Sequence, residues 1–204
     1  MSEPAWLVAG LGNPGSRYAR TRHNLGYRVA DELAAHAGAA WRIHRDRRAQ
    51  VAIGRVTSGA QPLRVVLVKP LSFMNDSGGP VATIASYYGI PLDRLVVVHD
   101  ELDLELGTVR LKLGGGDGGH NGVRSVRRSL GSGDFYRVRV GIGRPPGGRD
   151  AADFVLSEFA TQERDEAAIA VSAAGDAVLG LLLEGIGPTQ SRFHRPAPAP
   201  DKSL

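Results

Sequence analysis

The chain has 204 residues, 42% hydrophobic and 23% charged, a balance that fits one globular domain with a sizeable core. It has no cysteine, no run near the roughly 20 unbroken apolar residues of a membrane span, and no basic region in its N-terminus MSEPAWLVAG; disulfides, thiolate metal sites, a membrane partner and a secretory signal are not expected. Net charge is only +4, yet residues 110–144 carry eight Arg or Lys against Asp117 and Asp134, while residues 151–185 carry seven acids against Arg164, a split that points either to a one-sided patch for a polyanion or to a general bias toward arginine, which supplies 22 of the 25 basic residues.

In chain order, WLVAGL (6–11), AQVAIGRV (49–56), LRVVLVK (63–69), RLVVVHD (94–100), TVRLKL (108–113) and YRVRVGIG (136–143) read as strands, rich in Val, Ile and Leu and bounded by Gly, Pro or Asp. LVVVH is apolar on both faces and predicts a central strand; RVRVGI alternates basic with apolar and predicts one wet face. Between them lie four helical stretches. Residues 24–38 place Leu25, Val29 and Leu33 on one stripe and stop at Gly38. A second helix starts near Pro80 and stops at Gly89, a third follows Asn121 as N-cap candidate and ends at Gly131, and the longest opens at Thr161 with acids in its first turn. Interleaved strands and helices imply an α/β fold: a single domain over residues 1–195 with a twisted mixed, largely parallel sheet flanked by helices. The Pro/Ala-rich tail, 196–204, is expected to be disordered.

Gly10, Gly12 and Gly15 spell G-x-G-x-x-G directly after the first strand, the form of a dinucleotide-binding turn. The context fails. The following SRYARTRHN has no helical apolar stripe, Pro14 removes a backbone donor, and the nearest acids, Asp31 and Glu32, sit in a helical pattern. The loop instead offers Asn13, Tyr18, Arg22, His23 and Asn24 at a strand's carboxyl end, where ligands gather in open α/β sheets. Three other strand ends are alike: KPLSFMNDSGG with Phe73 and Asn75, VVVHDELDL with His99, Asp100, Glu101 and Asp103, and GGGDGGHNG with His120 and Asn121. Each has a plainer reading. Asn75 and Asn121 fit helix N-caps, Asp100 a turn, and the glycine run a mobile linker. His23, His99, Asp100, Asp103 and His120 include no ligand-spaced pair, so no metal is expected, and no G-x-S-x-G supplies a serine nucleophile. What remains is a histidine, a carboxylate and several amides, a kit for water activation and oxyanion stabilisation without a cofactor.

Five segments in this order resemble the bacterial-type peptidyl-tRNA hydrolase family: VAGLGNPGSRYARTRHNLGYRVAD, VKPLSFMNDSGG, HDELDLELG, RLKLGGGDGGHNG and FYRVRVGIGRPPG. Ser72 stands where that family often has Thr, DLELG lacks its usual prolines, and residues 45–48 and the tail carry little family signal. The resemblance implies cleavage of the ester joining a peptide to the 3′ end of tRNA. It implies His23 as catalytic histidine, Asp100 as its partner, and Asn13, Asn75 and Asn121 as active-site amides, Asn13 and Asn121 grouped with the catalytic pair and Asn75 with the binding residues. Lys112 and Arg139 match positions that bind acceptor-stem phosphate. Tyr18 and Phe73 are candidates to stack the bases of the single-stranded 3′ end, with Phe73 equally suited to the core. His120 is placed beside the substrate path, and Arg137 is expected to add to the basic field. The implied partner is peptidyl-tRNA, met by a cytoplasmic monomer. A non-catalytic RNA-binding protein and a nucleotide-dependent oxidoreductase are the competing readings.

Overall fold

The computed structural model describes residues 5–58, 61–148 and 150–194; the tail expected to be disordered lies outside them. Seven strands form one sheet: β1 (Ala5–Gly10), β2 (Arg42–Ile43), β3 (Ala49–Ser58), β4 (Gln61–Pro70), β5 (Leu95–Glu101), β6 (Val109–Leu113) and β7 (Tyr136–Gly141), in the spatial order β2-β3-β4-β1-β5-β7-β6. The four central strands, β4, β1, β5 and β7, run parallel; β2, β3 and β6 add antiparallel edges. The mixed α/β fold read from the sequence is therefore present, and its one unforeseen strand is the two-residue β2.

Among the described residues six α-helices complete the fold: α1 (Leu25–His36), α2 (Gly78–Tyr87), α3 (Asn121–Leu130), α4 (Ala151–Val155), α5 (Arg164–Glu184) and α6 (Ile186–Phe193). Strand alternation splits the core into two layers. Val8, Val96, Val98 and Val138 pack with Leu25, Val29 and the alanine-rich stripe of α5. Leu7, Ala9, Val66 and Val97 pack with Val81, Ile84, Val123 and Val126 of α2 and α3. β5, buried at every position and flanked by β1 and β7, is a central strand, as its sequence predicts.

The second helix starts at Gly78, two residues before Pro80, because a proline in the first turn lacks only an N–H that would be unpaired anyway. The longest helix opens at Thr161 in a 3₁₀ turn that runs directly into α5 at Arg164, and the Glu163 carboxylate of that turn accepts from Ala160 N–H at 2.7 Å. Residues Thr161–Glu184 are also long and apolar enough to cross a membrane by length and composition. Ala167, Ala170, Val171, Ala174, Val178 and Leu181 recur at helical spacing along α5 and are buried in the core, as a core helix requires.

Candidate active site

β1, β4 and β5 end at one edge of the sheet, and the glycines of the first loop bring α1 onto it. A Cβ at Gly10 would lie 2.1 Å from the Gly26 carbonyl oxygen, and one at Gly26 would lie 2.4 Å from Val98 O. Only glycine at both positions lets α1 begin against the strand ends, and that contact delivers Arg22, His23 and Asn24 to the edge. Asn24 then fastens the loop. Its Oδ1 accepts from Asn13 N–H at 2.8 Å and its Nδ2 donates to Asn13 O at 2.9 Å. Asn13 Oδ1 in turn accepts from Met74 N–H at 2.8 Å, tying in the loop that carries Phe73 and Asn75. A backbone N–H can only donate, so the Asn13 oxygen is occupied and its NH₂ is the group left for a ligand.

Arg22 locks the other side. Buried, it donates to Glu163 at 2.5 Å, and its guanidinium lies 4.3 Å and 4.5 Å from the ring centroids of Phe154 and Phe159. These partners are some 130–140 residues away in sequence, so the sequence shows Arg22 only as another polar loop residue.

Asp100, 2% exposed, sits at the end of β5 between two imidazoles. His23 Nδ1 is 2.9 Å from both of its carboxylate oxygens, and His120 Nε2 is 2.9 Å from Oδ1. Tautomers follow from the partners. His120 Nδ1 accepts from the N–H groups of Gly122 and Val123 at 3.1 Å and 3.3 Å, so its single proton is on Nε2, pointing at Asp100. The residue capping α3 is thus His120, not Asn121 as the sequence suggests. Asn121 is released to the cleft, with its Oδ1 held by Arg124 at 3.0 Å and no partner for its NH₂ among the described residues. Asn75 is not a cap either; it sits exposed inside the 3₁₀ turn Met74–Asp76. His23 donates through Nδ1, so Nε2 carries a lone pair and has no partner among the described residues.

Burial alone would raise the Asp100 pKa, but the attraction and hydrogen bonds of His23 and His120 outweigh it and hold the carboxyl well below the usual range. His99, fully buried, donates from Nδ1 to Asp100 O at 2.7 Å, and its ring meets His120 edge-on at 4.7 Å. Burial first, then the neighbouring His120, push its pKa well below 6.5. As pH falls through 6.5 the unfolded chain takes up this proton before the folded one does. The stability this neutral side chain supplies is therefore complete above about pH 6.5 and is lost below it. Urea unfolding should show stability falling between pH 6.5 and 5 by up to ~1.4 kcal/mol per pH unit from this site. His99→Gln should flatten that slope even if it lowers overall stability; an unchanged slope would assign the acid sensitivity elsewhere.

The pair opens on a cleft of about 490 Å³. Tyr18 and Phe73 form one wall, with ring centroids 6.2 Å apart and Phe73 57% exposed, which removes it from the core. Gly118, Gly119 and Asn121 form another, and α4, for which the sequence carried no assignment, closes the remaining side with Ala151, Ala152 and Val155.

The sequence profile of peptidyl-tRNA hydrolase matches residues 7–201. A peptidyl-tRNA hydrolase of Kineococcus radiotolerans is 54% identical over 195 residues, covering 95% of this chain and 98% of that protein. The chain belongs to the peptidyl-tRNA hydrolase family. The corresponding enzyme of Mycobacterium marinum is 53% identical over 194 residues, covering 95% of this chain and 99% of its own. A crystal structure of peptidyl-tRNA hydrolase from Acinetobacter baumannii superposes with a TM-score of 0.82 at 33% identity, covering 98% of this chain and all of that one.

Measured against a peptidyl-tRNA hydrolase site, the sequence-derived residues divide. Asn13, Tyr18, His23, Phe73, Asn75, Asp100, His120 and Asn121 all line the one cleft. Lys112 and Arg139 lie outside it on β6 and β7, Lys112 exposed and Arg139 paired with Glu101 at 2.9 Å. Arg137 does not join the basic field. It is 3% exposed and its guanidinium donates to the carbonyls of Gly114 and Gly116. The wet face expected for RVRV is covered at Arg137, which pins the glycine loop rather than leaving it a free linker, and stays partly open at Arg139.

Proposed function

We propose that this protein hydrolyses the ester between a peptide and the 3′ end of tRNA with a water molecule activated at His23. The carrying observation is the His23–Asp100 pair, with Nδ1–H on a buried carboxylate and the Nε2 lone pair at the cleft. The water oxygen attacks the ester carbonyl while its proton passes to Nε2; Asp100 holds the tautomer and stabilises the imidazolium. The C–O bond to the ribose then breaks, and the same proton returns to the 3′ oxygen. Asn13 and Asn121, whose own oxygens are occupied, offer N–H donors to the oxyanion, a contribution of roughly 3 kcal/mol for one well-placed donor. Asn75 and His120 contact the peptide end of the substrate.

Tyr18 and Phe73 supply faces for the unpaired terminal bases, and Lys112 and Arg139 meet acceptor-stem phosphate on the β6–β7 side. The catalytic pair and the amides are complete without a residue from a second copy, and the proposed working form is a monomer in the cytoplasm, where tRNA is recycled. The dinucleotide reading loses its basis, since Gly10 serves the packing of α1.

A second reading has one observation in its favour: the ligand atoms of His23, Asp100 and His120 lie within 4.8 Å of one another, close enough for a metal ion. One experiment separates the two. N-acetyl-aminoacyl-tRNA is cleaved in ¹⁸O-labelled water after exhaustive chelation. Water activation by His23 predicts an unchanged rate and label in the released carboxylate, none in the 3′ hydroxyl. A rate lost on chelation and restored by a divalent ion would select the metal.

A further inference from the structure

A second cavity, of about 410 Å³, lies on the far side of the catalytic loop from the cleft, lined by Ala19, Arg20, Arg28, Glu158, Phe159 and Arg164. Tyr18 faces the cleft and the next two residues face this cavity. The strand bridge of Thr21 with Glu158 and the hydrogen bond from Arg22 N–H to Ser157 O, 3.0 Å, mark the boundary between the two.

Three guanidiniums meet here with one carboxylate. Neither Arg20 nor Arg28 makes a hydrogen bond or ion pair to any described residue. Arg164 is only loosely engaged: Nη2 is 4.0 Å from Glu158, with both side chains more than half exposed, and Nε is 3.4 Å from Phe159 O. Arg28, half-buried on α1, has its charged form disfavoured by burial, with Glu32 one turn on as partial compensation. A half-buried guanidinium without a hydrogen-bonding partner, beside two more that are free or weakly held, is a site short of an anion. Phe159 is buried with Arg22 over its ring, so it offers little surface for stacking a base. Charge and the planar donor forks of arginine are what the cavity presents, and those match the oxygens of a phosphate.

We propose that Arg20, Arg28 and Arg164 form a phosphate-binding site behind the catalytic loop, separate from Lys112 and Arg139. The phosphate is either a backbone diester of the bound tRNA or a free phosphate group in solution. A phosphate here would displace Glu158 from Arg164 and bridge the catalytic loop, α1 and the start of α5, adding α1 to the link that Arg22 and Glu163 already make between the loop and the turn before α5. This inference is independent of the chemistry at His23.

Inorganic phosphate is titrated into the full chain while the arginine Nε–Hε resonances are followed by NMR. Full-length tRNA binding is measured across a salt series for wild type, Lys112→Ala and Arg20→Gln/Arg28→Gln, with the exposed single variant Arg20→Gln kept in case the double variant does not fold. The site predicts saturable shifts at Arg20, Arg28 and Arg164 that are weakened in the variants. If the natural ligand is the tRNA backbone, the double variant also flattens the slope of log K against log salt by about 0.9 for each phosphate no longer neutralised, as Lys112→Ala does for the phosphate it meets. If it is free phosphate, the slope stays as in wild type while phosphate binding is abolished. The proposal is overturned if phosphate leaves the three resonances unmoved and the variants keep the wild-type salt slope, or if the Arg164 shift persists in the variants with unchanged affinity.

Discussion

Replacing His23 with alanine should lower turnover of N-acetyl-aminoacyl-tRNA at least ~10²-fold while tRNA affinity stays near wild type. Among the described residues of the cleft the Nε2 lone pair is the base left unengaged, because Asp100 is held by two imidazole protons, Glu101 by Arg139, and His120 has its own lone pair buried in the cap of α3. Asp100→Asn should be slow for a sharper reason. His120 cannot reverse its tautomer without giving up two backbone N–H groups, so it continues to donate to position 100. The new amide keeps its oxygen on His120 at the Oδ1 position, so its NH₂ takes the Oδ2 position and competes there for His23 Nδ1. That drives the His23 proton onto Nε2 and removes the base. Two consequences can be measured. The loss from Asp100→Asn should vanish when His23 is already alanine, since the two act as a unit. In a His120→Ala background the same substitution should cost less than in wild type, because the amide is then free to rotate its oxygen toward His23. Additive losses in the first pair, or an equal cost with and without His120, would show that Asp100 does not act through the tautomer of His23.

Much of this arrangement could be read from one sequence because its signals are local. β5 announces itself as an apolar run ending in His99 and Asp100, and α1 as a stripe ending at Gly38. The G-x-G-x-x-G spelling misleads for a physical reason: small residues are required wherever backbones touch, and here Gly10 touches Gly26 rather than a pyrophosphate. What escaped was set at a distance. Asn121 looks like a cap because asparagine so often is one, whereas the cap falls to His120 only because its other nitrogen is fixed by Asp100, 20 residues earlier. RVRV promises a wet face because alternation cannot foresee a loop folding over Arg137. α4 is too short for any periodic pattern, and its one local signal, Asp150 accepting from Ala152 N–H at 2.7 Å, is a cap that turns share.

Cleavage should be selective for N-blocked peptidyl-tRNA over aminoacyl-tRNA with a free α-amine, and the selectivity should depend on Asn75 and Asn121. Hydrolysing charged tRNA would undo every aminoacylation, so the substrates must be told apart at the first peptide bond. Around His23 the side chains left to pair with a ligand are neutral amides, because the two carboxylates of the cleft are already engaged, Asp100 by His23 and His120 and Glu101 by Arg139. Asn121 is fixed as a donor by Arg124, and Asn75, exposed and with no described partner, can turn to pair with either the N–H or the C=O of a peptide. A free amine has no such carbonyl, and those groups lose their partner when it binds. It also brings a positive charge toward an imidazole that must itself become cationic, while Asp100, the compensating carboxylate, is buried behind His23 and already shared. Discrimination that rests on unpaired hydrogen-bonding groups can reach ~10⁴, well beyond what shape alone supplies. Alanine at Asn75 or Asn121 should therefore reduce kcat/KM for N-acetyl-aminoacyl-tRNA by ~10-fold or more, on the scale of one or two missing hydrogen bonds, and leave any slow cleavage of aminoacyl-tRNA less affected. If the wild-type protein cleaves both substrates with similar kcat/KM, or if the two variants lose both activities in equal measure, the amides serve the oxyanion alone and the choice of substrate is made elsewhere.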